Sequence, residues 1–401
     1  MNFAYEKMRN LVNDDTSLNI WRSLYTDSCI VRAFAVSEQS PLLAISTLDR
    51  AIIIAGPFGD GRLDLILELI RIFQLPLSQQ YVVRVMSTLP VPVSFECTIP
   101  QLSFPPSFLT FQSQHSHQPF ILRNYAQDWP AMRDRPWHSA AYLQSVAGPG
   151  RLVPVEIGKD YRLGDWKQEL MDWIYFLSTI DFDDQPASQN EETIFYLAQH
   201  DLFKQFPTLR EDIIIPDYVY ASLPCVECPD YRPPQHDGEA LFNAWLGPKG
   251  AMSPAHTVYY LSFLTLLLAI YPFIRTHTII ATVRLSNCSS TSSINMFHLV
   301  QVVGYKRVWL APPSVSALMH PFQHSPESGQ SMDVDELKMA NTSRLDVFSA
   351  DSNKEYSNFS DQVVPSCMIA TLGPGDMLFF PPGWWHAMRS ESTSFSISMW
   401  F

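Results

Sequence analysis

The sequence of 401 residues contains little cysteine, and the cysteines it has are scattered. Of the six, only Cys225 and Cys228 are close enough along the chain to bind one metal ion together. One such pair without a second is weak evidence for zinc, so we interpret it as part of a loop. Scattered thiols are typical of reducing compartments, and the mixed, polar first 15 residues argue against a secretory leader. We therefore expect an intracellular protein, nuclear or cytoplasmic.

The chain also lacks an excess of basic residues. It carries 27 Lys and Arg against 40 Asp and Glu, a formal net charge of −13. Because proteins bind nucleic-acid phosphates through basic side chains, we expect no direct nucleic-acid binding. A protein or peptide substrate, especially a basic one, fits this charge better. No repeat of solenoid period is visible, and nothing in the sequence indicates an oligomeric state.

Apolar residues at helical spacing are frequent in the first 90 residues. They include Trp21, Leu24, Tyr25, Leu65, Ile66 and Leu69. This spacing predicts a helical accessory domain over residues 1–90. Residues 91–117, which are rich in proline and apolar side chains, predict a linker, and residues 118–401 predict one large domain. Within that domain the polar segment 323–362 predicts a surface loop.

Two distant stretches each place one histidine beside a predicted strand. Residues 373–376 form a turn, and the apolar run 377–380 reads as a buried strand. Pro381, Pro382 and Gly383 end that strand, which puts His386 at a sheet edge facing a pocket. His256 follows turn residues at 247–250 and opens an apolar segment. Histidines on two distant strands can meet inside a barrel, where they can bind one metal ion.

Six separated motifs resemble those of the Jumonji-C oxygenases, and most of all the branch of Jumonji domain-containing protein 5. They are VPVEIG at 153–158, YLAQH at 196–200, IPDY at 215–218, NAW at 243–245, SPAH at 253–256 and QVVGYK at 301–306. The resemblance covers residues 118–401. It implies an α+β fold built on a double-stranded β-helix, the jelly-roll barrel of the cupins, with flanking helices. It also implies a dependence on Fe(II) and 2-oxoglutarate.

The resemblance implies three groups of site residues. The metal ligands are His256 and His386. The residues that bind the cofactor 2-oxoglutarate are Tyr196, Ser253, Lys306 and, at a spacing shifted by two, Asn295. The residues on the substrate side are Glu156, Trp245 and Trp400. The residues by themselves leave structural interpretations open: packed histidines, a core position for Tyr196, a solvated Lys306 and a structural pairing of Glu156.

A carboxylate beside aromatic faces suits a cationic side chain. The resemblance therefore implies oxidation of a protein substrate, either hydroxylation of an arginyl residue or demethylation of a histone lysine.

The metal motif of the resembled enzymes is incomplete here. In those enzymes an aspartate stands two positions after the first histidine and completes a facial triad of two histidines and one carboxylate. In this chain the order is His256, Thr257, Val258, so the carboxylate is missing. Two hypotheses follow: an active oxygenase, or an inactive pseudoenzyme or faulty gene-model product that retains at most a binding role.

An anomalous insertion begins at Val258 and runs to residue 294. Its first part, 258–274, is an apolar run of about 17 residues, at the lower limit of a membrane span. Because a span in mid-barrel would destroy the fold, we expect no membrane role. We hypothesise that 258–294 is translated non-coding sequence or a faulty exon junction. Sequencing the transcript across Thr257 to Gln301 tests this, and a dominant spliced message with the present reading frame would contradict it.

Overall fold

The computed structural model of the chain describes residues 1–10, 15–77, 97–180, 193–221, 240–257, 297–322, 339, 341–349, 356 and 358–400. The insertion at 258–294 and Asn295 lie outside these residues. The described part confirms the α+β prediction, because a helical N-terminal region is followed by two large, mainly antiparallel sheets of jelly-roll type. Among these residues no helix is both long and apolar enough to span a bilayer.

Four helices build the N-terminal region. They are α1 (Asn2–Asn10), α2 (Asp15–Val36), α3 (Pro41–Arg50) and α4 (Arg62–Gln74). A π-helical turn, Ala51–Ala55, continues α3 and ends at Gly56, whose φ of 68° lies in the left-handed region that favours glycine. The apolar faces of the four helices enclose one core that includes Cys29, Ala33, Ile45 and Leu48, all fully buried.

Thirteen strands and four short helices are described in the rest of the chain. The strands are β1 (Gln101–Leu102), β2 (Phe120–Leu122), β3 (Leu152–Ile157), β4 (Lys167–Asp172), β5 (Phe195–His200), β6 (Leu241–Gly247), β7 (Met252–His256), β8 (Phe297–Val303), β9 (Lys306–Ala311), β10 (Met368–Leu372), β11 (Met377–Phe380), β12 (Trp385–Ser390) and β13 (Ser394–Trp400). The helices are α5 (Phe108–Thr110), α6 (Ala140–Ala147), α7 (Trp173–Ser178) and α8 (Leu202–Gln205).

The strands form a nine-stranded sheet and a four-stranded sheet. Their orders are β1-β2-β11-β8-β13-β6-β5-β3-β4 and β10-β9-β12-β7. Helices cover the outer face of the large sheet, and the inner face lines the barrel. For this reason β8 and β13 are buried along their whole length. On β13 the outward residues, such as Phe395 and Ile397, join the core with the helices, while Ser396 and Ser398 alternate with them.

The prediction of a linker at 91–117 is wrong for its described part, 97–117. Thr98 donates its backbone N–H to the carbonyl of Ile369 at 2.9 Å, and β1 pairs with β2. Ile99 and Phe111 are buried in the barrel core. Backbone pairing with strands far along the chain holds the start of this segment in place, whereas Phe104 and Leu109 are 81% and 74% exposed.

The prediction of a surface loop at 323–362 is also wrong in part. Ser343 donates its backbone N–H to the carbonyl of Ala255 at 2.7 Å, which adds a short stretch to the free edge of β7. Leu345 and Phe359 are each 1% exposed. The described part of this polar segment therefore packs against the barrel wall that carries His256.

A buried ion pair joins the helical region to the barrel. Arg151 donates two hydrogen bonds to the Asp49 carboxylate, from Nε at 2.9 Å and from Nη2 at 2.8 Å. The same carboxylate accepts from the backbone N–H of Leu152 and from Nε2 of Gln205, each at 2.8 Å. Both charged groups are almost completely buried. The attachment of α3 to the start of β3 thus depends on one carboxylate.

We expect Asp49→Ala to lower the free energy of unfolding by about 3–5 kcal/mol, because it leaves the guanidinium of Arg151 buried without a counter-ion. Asp27→Ala is the matched control. It removes an ion pair with Arg62 that is partly exposed, and we expect it to change stability by less than about 1 kcal/mol. Urea unfolding of both variants checks this, and equal losses would contradict it.

Candidate active site

Two histidines lie side by side on neighbouring strands of the small sheet. Strands β7 and β12 are antiparallel, and His256 is directly opposite His386 in their register. The centroids of the two imidazole rings are 4.2 Å apart. His386 is buried, and the ring of Phe380 packs against it at a centroid distance of 4.8 Å. The structure therefore brings the two predicted metal ligands together.

Backbone carbonyls set the tautomer of both rings. Nδ1 of His256 is 2.8 Å from the carbonyl oxygen of Pro254, and Nδ1 of His386 is 3.1 Å from that of Trp384. A carbonyl oxygen can only accept, so each Nδ1 carries the proton and each Nε2 keeps its lone pair. Burial lowers the pKa of both imidazoles and keeps them neutral. A neutral imidazole oriented by a hydrogen bond from its other nitrogen is the form that binds a metal ion.

A third metal ligand is missing from the described part of the site. No group of three His, Cys, Asp or Glu side chains that could bind a metal ion occurs among the described residues. Thr257, next to His256, is fully buried, and its backbone N–H donates to the carbonyl of Asn341 at 2.9 Å. Val258, which occupies the position of the expected carboxylate, lies outside the described residues. Two histidines suit a divalent metal, but they supply only part of a facial triad.

The segment 341–345 pairs with β7 through backbone hydrogen bonds, and one arginine ties the same segment to the loop after β3. Arg162 donates from Nη1 to the carbonyls of Ser343 and Leu345, at 3.0 and 2.7 Å. Its guanidinium also forms a mostly buried ion pair with Asp160. Thr342 forms a β-bridge with His256, so the arginine contributes to the order of the segment that borders the histidine.

Lys306 is buried inside the barrel at the start of β9. It is 1% exposed, so its interpretation as a solvated residue is wrong. Nζ donates to Oγ of Ser396 at 2.7 Å and lies 6.0 Å from the ring centroid of Tyr196. No carboxylate within the described ranges forms an ion pair with it, and burial lowers the pKa of the ammonium to about 7. A buried cation in this position can bind an anion that enters the barrel.

Tyr196 and Ser253 contribute hydroxyl groups to the same interior. Their side chains are hydrogen-bonded to each other, and burial raises the pKa of Tyr196 above its ordinary value, so the phenol stays protonated. Together with Lys306 they offer one cation and two hydroxyl groups. This set fits a carboxylate such as the distal one of 2-oxoglutarate, whose burial requires such partners. Asn295, predicted as a further contact, lies outside the described residues.

The residues predicted for the substrate side all lie on the inner face of the large sheet. Glu156 on β3 is opposite Tyr196 on β5. The rings of Tyr196 and Trp245 are 6.2 Å apart. Ser398 accepts hydrogen bonds from the indole Nε1 of both Trp245 and Trp400, at 2.8 and 3.1 Å. Four strands thus place one carboxylate, a phenol and two indoles along the barrel interior.

Glu156 carries a carboxyl group that is poorly solvated. Burial raises its pKa to about 7, against a weak opposing hydrogen bond from Nε1 of Trp166 at 3.4 Å. In the folded state the group keeps its proton between pH 4.5 and 7, whereas in the unfolded chain it has lost it. The free energy of unfolding therefore falls as pH rises through this window.

We expect Glu156→Gln to flatten this pH dependence by an amount on the order of 3 kcal/mol between pH 4.5 and 7.5. Urea unfolding at several pH values measures it. Glu38→Gln, at an exposed position after α2, controls for the change in formal charge. An unchanged slope in Glu156→Gln would contradict the assignment.

Sequence reasoning missed several residues of this region. They are Arg162, Gln168, Asn341, Thr342, Ser396 and Ser398. The alternation of serine with apolar residues from Ser394 to Ser398 is a signal that could have pointed to a polar inner face. The others had no local signal, because their place in the site depends on pairing between distant segments.

Comparison with known proteins supports the same architecture. A family model described as "Cupin-like domain" matches residues 107–401. Jumonji C domain-containing protein 5 of Drosophila melanogaster is 35% identical over 77% of this chain and 61% of that protein. Lysine-specific demethylase 8 of Xenopus tropicalis is 32% identical over 76% of this chain and 53% of that protein.

Lysine-specific demethylase 8 of Danio rerio is 27% identical over 95% of this chain and 81% of that protein. That similarity extends over most of the helical region as well as the barrel. The chain spans less than two thirds of the Drosophila and Xenopus relatives. The matched family model and the double-sheet barrel agree, and the chain belongs to the cupin-like family, within which it is similar to Jumonji C domain-containing proteins.

Proposed function

We propose that this chain is an Fe(II)- and 2-oxoglutarate-dependent oxygenase that oxidises a protein, by hydroxylation of an arginyl residue or by demethylation of a histone lysine. The observation that carries the proposal is the buried cation of Lys306, which has no carboxylate partner in the described part of the chain. The paired histidines on β7 and β12 support it.

The residues divide into three tasks. Nε2 of His256 and Nε2 of His386 would hold the metal ion, because their Nδ1 atoms are bound to backbone carbonyls. Lys306, with Tyr196 and Ser253, would hold the distal carboxylate of 2-oxoglutarate. When bound, the metal and 2-oxoglutarate would allow O₂ to act as the oxidant: one oxygen atom would enter succinate as the oxo acid loses CO₂, and the other would enter the substrate.

The substrate side favours a cationic side chain. Glu156 provides a negative charge or a hydrogen-bond acceptor, and the indoles of Trp245 and Trp400 provide apolar faces that their bonds to Ser398 hold in place. Aromatic faces beside a carboxylate attract guanidinium and methylated ammonium groups. The Xenopus and Danio relatives are named lysine-specific demethylases, which supports an oxidative reaction on protein.

A second candidate is a catalytically inactive protein that keeps the fold and a binding role. The observation in its favour is the absence of a carboxylate after His256, where the sequence has Thr257 and Val258. Two histidines without a carboxylate bind Fe(II) less tightly than a complete triad.

Titration of Fe(II) and 2-oxoglutarate under anaerobic conditions distinguishes these candidates. The chain as it stands is compared with a variant in which residues 258–294 are replaced by a short strand carrying an aspartate two positions after His256. Binding by both forms, with consumption of 2-oxoglutarate in air, supports the oxygenase. Binding only by the replaced variant supports the inactive protein, and binding by neither contradicts the oxygenase.

A further inference from the structure

Gln168 lies next to Glu156 on the inner face of the large sheet. The two residues are directly opposite in the antiparallel register of β3 and β4. Directly opposite residues on paired strands project to the same side of a sheet, with Cβ atoms about 5 Å apart. The row that contains Tyr196 and Glu156 therefore continues to Gln168 on the edge strand.

The polar groups of this pair lack strong partners. Gln168 is 4% exposed, and its side-chain carbonyl oxygen accepts no hydrogen bond within the described part of the chain. Glu156 forms no ion pair there, and its one hydrogen bond, from Trp166, is long at 3.4 Å. An unsatisfied buried acceptor costs about 1–3 kcal/mol. The Gln168 carbonyl and the Glu156 carboxyl group, which in the described ranges has only the long bond from Trp166, lie side by side and are the complement of a charged group that is rich in donors.

We propose that Gln168 is a substrate-binding residue, whose side-chain carbonyl acts with the Glu156 carboxylate as a pair of acceptors for the N–H groups of a guanidinium. This inference rests on the proposed function and deepens it, since it assigns a specificity to the same site. A guanidinium presents five N–H donors in one plane, whereas a trimethylated ammonium presents none. Gln168 thus favours an arginyl side chain over a fully methylated lysyl side chain.

The experiment uses the full chain with 2-oxoglutarate and two probe peptides, Gly-Ala-Arg-Ala-Gly and the same peptide with trimethyllysine in place of arginine. We expect wild type to bind the arginine peptide more tightly. Gln168→Met keeps the length of the side chain and removes the acceptor. It should lower the affinity for the arginine peptide by about 10- to 100-fold, the range for a hydrogen bond to a charged group. The affinity for the trimethyllysine peptide should change by less than twofold.

Three results would overturn the proposal: no preference for arginine in wild type, an equal loss for both peptides in Gln168→Met, or no loss for either. Gln168→Asn, which keeps the amide but shortens its reach, serves as the second variant and should lose arginine affinity in the same direction. A parallel titration with 2-oxoglutarate separates this test from the proposed function. If wild type does not bind 2-oxoglutarate, the oxygenase is refuted. If Gln168→Met binds 2-oxoglutarate and selects between the two peptides as wild type does, only the role of Gln168 is refuted.

Discussion

The Lys306→Met variant is expected to lose 2-oxoglutarate binding by at least about 100-fold, because a buried carboxylate without its cation costs about 3–5 kcal/mol. The same variant should be more stable than wild type when no ligand is bound. Lys306 is 1% exposed and has only Oγ of Ser396 as a hydrogen-bond partner among the described residues. Binding and stability therefore respond to this substitution in opposite directions.

The pH dependence gives the sign of the stability effect. Burial lowers the pKa of Lys306 from 10.5 to about 7. Between these values the unfolded chain binds a proton that the folded protein does not, so the free energy of unfolding of wild type rises with pH across this window. The free energy of unfolding of Lys306→Met should not change with pH in this window. The variant should therefore exceed wild type in stability by the largest amount at pH 7 and below.

Isothermal titration with 2-oxoglutarate and urea unfolding at pH 6.5 and 9.5 measure both effects. The control is Lys249→Met, at an exposed turn, which should change neither. Wild type should also take up a proton when it binds 2-oxoglutarate at pH 8, because the carboxylate restores the charge of Lys306. That uptake appears as a binding enthalpy that depends on the ionisation enthalpy of the buffer. A variant that binds 2-oxoglutarate as well as wild type does would contradict the assignment of Lys306.

The second large effect concerns the metal. We expect His386→Ala to weaken the binding of Co(II), a spectroscopic substitute for Fe(II), by about 100-fold or more, since even the loss of a group that only orients a ligand costs 10- to 100-fold. His256→Ala should have a similar effect, because the two rings lie opposite each other with both Nε2 atoms available.

The absorption of bound Co(II) provides the measurement. His117→Ala, an exposed histidine before β2, is the control and should bind Co(II) like wild type. Equal affinities of His386→Ala and wild type would show that the metal binds elsewhere. The variant with a restored aspartate after position 256 should bind more tightly than wild type, because it completes the facial triad.

Lys306 shows how far local sequence information reaches. Its position in a strand was predictable from the apolar residues around it, but the residues left a solvated and a ligand-binding interpretation open. Strand alternation states which residues share a face, but it does not state which face is covered. The exposed fraction of 1% decided between the two interpretations, and it arises from β12, β13 and β5 packing around one side chain.

The sequence by itself determined the α+β class, the family and the pair of histidines, because turns, strand alternation and spaced motifs are local patterns. Only the tertiary structure decided that β1 and Ile99 pack on the barrel and that Arg162 ties the segment 341–345 to the loop after β3. It alone placed Gln168 beside Glu156. Each of these depends on the register between segments that are separate along the chain, and that register is selected by the burial of whole faces during folding, which no short stretch of sequence contains.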